Sequence, residues 1–266
     1  MIALTLGVGV GAVARDGHGG DSGEDVAARK PHATASSSPQ TPQQRLASYA
    51  REHAFAFFDP PTAAGAFDRW DPCVPIHYRV NVAVKLPGAL DAIDAAFSQV
   101  AVATGMQFVD DGATQEMPSD DRKDIRRTTK GWEWAPVLVA VVPHAAFRRS
   151  VESTDLVAFA APDVYASDDG TLSQIVSGDI VVDGSRISNE GAGDPDGMEP
   201  VMLHEIGHLV GLGHVRDKGE IMQPDGGGVV GLGPGDLAGL WALGTSAGCF
   251  VHPALPRDSS DFPRGG

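Results

Sequence analysis

The chain has 266 residues, 42% of them hydrophobic, enough for one substantial core with a tail, and only two cysteines. Its net charge of -15 and pI near 4.8 argue against a nucleic acid or an anionic membrane surface as partner, since both would repel it.

Residues 2–14 are apolar and uncharged until Arg15 and Asp16 end the run. A run of that length is too short to span a bilayer as a helix, which needs about 20 residues. Ala12-Val13-Ala14 fits a small-x-small cleavage site, so 1–14 reads as a signal peptide cut after Ala14, and the missing basic start leaves an uncleaved membrane anchor as the alternative. Residues 15–68 read as a disordered linker, poor in large apolar side chains at its start. Within it Leu46, Tyr49, Ala50, His53, Ala54 and Phe57 recur at helical spacing, which predicts a short helix over 45–58 that Asp59-Pro60-Pro61 stops.

A catalytic domain is expected over 69–250, followed by a tail, 251–266. Ile76, Tyr78, Val80 and Val82 alternate with polar residues, the sign of a half-buried strand. Leu90, Ile93, Ala96, Phe97 and Val100, between Pro87 and Gly105, predict an amphipathic helix. A second strand is expected over 106–109, then a charged loop over 110–130. The uninterrupted apolar run 137–142 reads as a central strand covered on both faces. Further strands are expected over 156–160 and 175–182, separated by the acidic loop 166–171. A helix begins near Glu199-Pro200, and a last one, with Asp236 near its start, covers 235–243. Strands and helices in this order make an α+β domain.

The chemistry sits in the helix after Pro200. His204-Glu205-Ile206-Gly207-His208 sets two imidazoles four apart on one helical face, where both can reach one metal. Glu205 stands one step round, placed to act on a water at that metal as general base. Gly211 suits the helix end, and Gly213 frees the turn to deliver His214 as third ligand. The full pattern arises by chance in on the order of a few chains per 100,000 of this composition.

H-E-x-x-H-x-x-G-x-x-H over 204–214 resembles the signature of the metzincin zinc endopeptidases. Met222, in Ile221-Met222-Gln223-Pro224, is similar to the methionine that metzincins carry on a tight turn under the zinc. Its interval from His214 resembles that of the matrixins, the matrix-metalloprotease branch, as do His214-Val215-Arg216-Asp217 and the stretch 178–183 before the helix. The resemblance implies the metzincin fold: a twisted mixed sheet of about five strands with two helices, then a small irregular C-terminal subdomain with a third helix. It implies one catalytic Zn2+ on His204, His208 and His214, with Glu205 as catalytic base and Met222 beneath.

Matrixins also hold calcium ions and a structural zinc. The upstream histidines of the structural zinc are absent, so a second zinc is not expected, while Ca2+ on Asp168, Asp169, Asp179 or Asp183 stays open. The matrixin cysteine-switch motif is absent too, which speaks against 45–58 as an inhibitory plug. In an exported chain the even count of Cys73 and Cys249 favours a disulfide joining the two ends of the domain, with Cys73 as a thiolate on the zinc the rival use. The function expected is a secreted, extracellular, monomeric zinc metalloendopeptidase acting on protein or peptide substrates, with no nucleic-acid or stable membrane partner unless residues 1–14 remain as an anchor. The alternative is a catalytically silent, zinc-bound extracellular binding domain, which would have no need of Glu205.

Overall fold

In the computed structural model, residues 48, 54–151, 155–188, 193–224 and 228–256 are described. Their elements in chain order are β1 (Ala56–Phe57), β2 (Ile76–Val82), α1 (Ala89–Thr104), β3 (Phe108–Ala113), β4 (Ile125–Thr128), β5 (Gly131–Trp134) and β6 (Val137–Val142). There follow α2 (His144–Ser150), β7 (Ala158–Ala166), β8 (Ser173–Asp183), α3 (Met198–Leu209), β9 (Leu212–Gly213), α4 (Pro234–Leu243) and a 3-10 turn, Thr245–Ala247.

The main sheet has the order β3-β2-β6-β8-β7, parallel throughout except for β7, which runs antiparallel to β8 along one edge. All six residues of β6 are buried, as a strand covered on both faces requires. Val137, Val139 and Val141 point into the core shared with α1 and α3, while Leu138, Ala140 and Val142 meet Phe147 of α2 on the other face. On α1, Ile93, Ala96, Phe97 and Val100 form the buried stripe, and Gly105 ends the helix in the left-handed region with its N–H on the Ala101 carbonyl. This is the expected α+β plan: a mixed five-stranded sheet, α1 and α3 on it, and a lower part that ends in α4.

Five local features depart from the expectation. Of the helix expected over 45–58, only Ser48 and 54–58 are described; Ser48 is helical, but Ala56–Phe57 form a strand paired with β9. The segment 54–68, expected as linker, packs on the domain through buried Phe55 and Phe67. Within the expected loop 110–130, β4 begins a hairpin with β5. Residues 144–150, for which no element was expected, form α2, and β7 extends to Ala166. Each is a short piece whose order comes from a partner distant in sequence, so local periodicity has little to register.

Cys73 and Cys249 form a disulfide with their Cα atoms 5.5 Å apart. It ties the loop before β2 to the residues after the 3-10 turn, and Arg69 adds to the tie by donating to the Gly248 carbonyl at 3.1 Å. Among the described residues no helix is long and apolar enough to cross a membrane. Residues 1–14 and most of 251–266 lie outside the described residues, and with them the expectations about their processing.

Candidate metal centre

The centre is built on α3. Met202, Leu203, Ile206 and Leu209 bury one side of it completely in the core, which turns His204 and His208, four apart, to the other side. The helix stops at Leu209, whose carbonyl accepts the indole N–H of Trp70 at 2.8 Å. Gly211 then takes φ 108, a conformation other residues resist, and a side chain there would also stand 2.7 Å from the Asp68 carbonyl. β9 follows in antiparallel pairing with β1. At Gly213 a Cβ would run into the backbone of Phe57, so glycine serves here for the close approach of two strands, more than for the turn freedom inferred from sequence. The chain is thus bent back to bring His214 beside the helix.

The three imidazoles converge. Nε2 of His204 lies 3.1 Å from that of His214 and 3.1 Å from that of His208, and the last two are 3.0 Å apart. Nδ1 of His204 donates to the Ile221 carbonyl at 2.7 Å and Nδ1 of His208 to the Leu212 carbonyl at 2.8 Å. Those bonds place the ring protons on Nδ1, so both Nε2 atoms present lone pairs to the same point. Neutral lone pairs at that separation repel each other unless a cation lies among them. Zinc–nitrogen bonds of about 2.0–2.1 Å in a tetrahedral set separate the nitrogens by about 3.4 Å, so the observed triangle is a few tenths tighter than that set and fits zinc. Burial, reinforced by the neighbouring His204 ring, pushes His208 down to about 3, and burial also lowers His204. Both are therefore neutral near pH 7, the form that ligates.

Glu205 is buried, and that burial pushes its carboxyl up to about 8 against a hydrogen bond from the Ala160 backbone. Its Oε2 is buried with no hydrogen-bond partner among the described residues. At about 8 the carboxyl keeps its proton near pH 7 in the metal-free chain, and the charge of a bound Zn2+ would favour its ionised form. With one oxygen held by the edge strand β7, the other would then be free to take a proton from a water. His214, by contrast, is exposed, so the centre opens to solvent on its side.

Met222 is almost wholly buried and packs against Gly207 of α3, where a Cβ would collide with the thioether and stand 3.2 Å from its Cε. The turn carrying it is fixed from α4: the Asp236 carboxylate accepts the backbone N–H of Ile221, Met222 and Gly233 at 2.6, 3.3 and 2.8 Å. Buried Glu220 accepts the Asp236 N–H at 2.8 Å. The sequence marked Asp236 only as a helix-start residue; its role in holding the methionine turn, and that of Glu220, were not legible there.

Among the described residues no group of three or more possible ligands includes Asp168, Asp169, Asp179 or Asp183, the aspartates left open for calcium. Asp179 faces Arg122 at 3.0 Å, Asp183 faces His144 at 2.5 Å, and Asp169 accepts from Ser167 and Thr171 in its own loop. Among the described residues, the groups of three or more possible ligands are the three histidines and Asp71 with Cys73 and Cys249. The second is closed by the disulfide, which also removes Cys73 as a thiolate for the metal.

A mixed five-stranded sheet over a helix that offers H-E-x-x-H to a third histidine is a metzincin-like fold. The matrixin family model matches residues 145–236, from α2 into the first turn of α4, and makes the chain matrixin-like over the span that holds the whole centre. Matrixins are zinc metallopeptidases. No curated protein matches the chain.

Proposed function

We propose that the chain is an exported zinc-dependent endopeptidase that hydrolyses peptide bonds in protein or peptide substrates. The observation that carries this is the triangle of Nε2 atoms 3.0–3.1 Å apart on the helix that also carries Glu205, whose Oε2 has no hydrogen-bond partner among the described residues. His204, His208 and His214 hold the zinc, and the carbonyls of Ile221 and Leu212 fix the two helical rings in the ligating tautomer. Zinc bound there supplies a Lewis acid that acidifies a water and polarises a substrate carbonyl. Glu205 accepts the proton of that water on its open oxygen and returns it to the departing amine. The Ala160 N–H holds the other carboxylate oxygen and keeps the proton carrier aimed. Met222 fills the floor and keeps the three rings from tilting.

The catalytic domain, proposed over 69–250, gains 54–68 as an element packed on it. Export is supported by the Cys73–Cys249 disulfide, a bond that persists in oxidising compartments. The protein is proposed to act as a monomer.

The test pairs metal content with hydrolysis of a mixed peptide library. Glu205→Ala keeps one zinc per chain and loses cleavage, while His204→Ala loses both. Cleavage retained in Glu205→Ala would remove the glutamate from its role. A wild-type protein that binds zinc and cleaves nothing in the library, with or without added metal, would favour a silent binding domain.

A further inference from the structure

On β2, His77, Arg79 and Asn81 alternate with core residues Ile76, Tyr78 and Val80, and so face away from α1 and α3. Over that outer face lies a cavity of about 270 Å³, bounded by β2, the start of β6 and the chain leading into the β4–β5 hairpin. Arg79, Lys123 and Arg126 line it together with Ile125, Pro136 and Leu138, and the one carboxylate in the lining, Glu116, is taken up by Arg122. In a chain of net charge -15, this concentration of cations is a local feature and not the character of the surface.

The charges are not all used. Arg122, which also lines the cavity, is met by Glu116 at 2.9 Å, Asp179 at 3.0 Å and the Pro136 carbonyl. Among the described residues Arg126 has only looser contacts, Glu133 at 3.5 Å and Asp111 at 4.0 Å, and its Nε is buried without an acceptor. Arg79 is half-buried, its Nε is likewise buried without an acceptor, and it makes no ion pair among the described residues. Two buried guanidinium N–H groups with no acceptor among the described residues leave a desolvation penalty that a bound oxyanion would recover. Five of the ten lining residues are apolar, so the space suits an acid with a hydrocarbon body better than a bare inorganic ion.

We propose that this cavity is a binding site for a small organic carboxylic acid. Its carboxylate takes hydrogen bonds from Arg79 and Arg126 with Lys123 adding charge, and its hydrocarbon part lies on Ile125, Pro136 and Leu138. The site is on the opposite face of the sheet from the histidines, and its occupancy does not depend on the proposed peptidase activity.

The test is calorimetric titration of the full-length, zinc-loaded protein with hexanoate, hexanamide and inorganic phosphate at constant ionic strength. Saturable hexanoate binding, none for hexanamide, and phosphate binding about tenfold weaker or less are expected. Because a carboxylate can also ligate zinc, the deciding arm is Arg79→Gln, which should weaken hexanoate binding about tenfold or more while zinc content stays at wild type. Arg126→Gln serves as a second variant should Arg79→Gln fail to fold, and Arg127→Gln, outside the cavity lining, should bind as wild type. No saturable hexanoate binding overturns the proposal, as does equal binding in Arg79→Gln, or in Arg126→Gln where that variant stands in. Hexanamide binding as tight as hexanoate, or phosphate as tight as either, overturns it too.

Discussion

The carboxylate of Asp236 holds the backbone N–H of Ile221 at 2.6 Å, and the carbonyl of the same Ile221 holds the His204 ring at 2.7 Å. The last helix of the domain thereby reaches a proposed metal ligand through a single residue of the methionine turn. Asp236→Asn keeps the size but turns an amide N–H toward backbone donors that need an acceptor. The expected outcome is a loss of about 1–3 kcal/mol of stability in denaturant titration and a fall in zinc affinity of about 10–100-fold by competition with a chelator. A variant with wild-type zinc affinity would show that the turn keeps its shape without this carboxylate.

Acid should destabilise the metal-free protein through its histidines. Burial holds His208 at about 3 when folded, against 6.5 for the free group. A depressed histidine pKa means that the unfolded chain binds the proton first, so stability present above pH 6.5 drains away as pH falls towards 3. By pH 5 the loss from His208 is about 2 kcal/mol. Chelator-treated protein followed by thermal melting between pH 8 and 4 checks this, and His208→Gln should flatten the dependence.

The pairing of β1 with β9 sets the path of the turn that delivers His214. Gly213→Ala would force a Cβ into the Phe57 backbone, parting the two strands. Zinc affinity should fall about tenfold or more, with thermal stability lowered. Gly231→Ala, where nothing lies within 4 Å of the new methyl group, should leave both unchanged. Equal behaviour of the two variants would dissociate the strand pair from the centre.

Removing the disulfide should weaken the fold and spare the metal. The bridge closes a loop of 176 residues, and bridges over long loops typically contribute about 2–4 kcal/mol. The double variant Cys73→Ser/Cys249→Ser should lose about that much in denaturant titration. Its zinc content should stay at one ion per chain, because neither sulfur is near the histidines. Loss of zinc in the double variant would reopen a thiolate role for Cys73.

Mass action gives a further check on the three histidines as ligands. A metal that binds only the folded chain raises its stability by about 1.4 kcal/mol for each tenfold excess over the dissociation constant. Wild-type protein should therefore melt at rising temperature as zinc is added, and His208→Gln should melt at a temperature that zinc does not move.

What the sequence determined by itself is what short-range geometry can encode. His204 and His208 face one way because a helix repeats every 3.6 residues. Gly211 and Gly105 mark helix ends because few other residues accept their conformations. Val137–Val142 reads as a central strand because both faces are apolar. Tertiary structure alone decided the rest. It made Ala56–Phe57 a strand against Leu212–Gly213, set the Ile221 and Leu212 carbonyls on the imidazoles, and placed Asp236 under the methionine turn. Each of these joins groups that are not helical neighbours, through backbone atoms that every residue possesses, so no periodicity or side-chain identity announces them until the chain is folded.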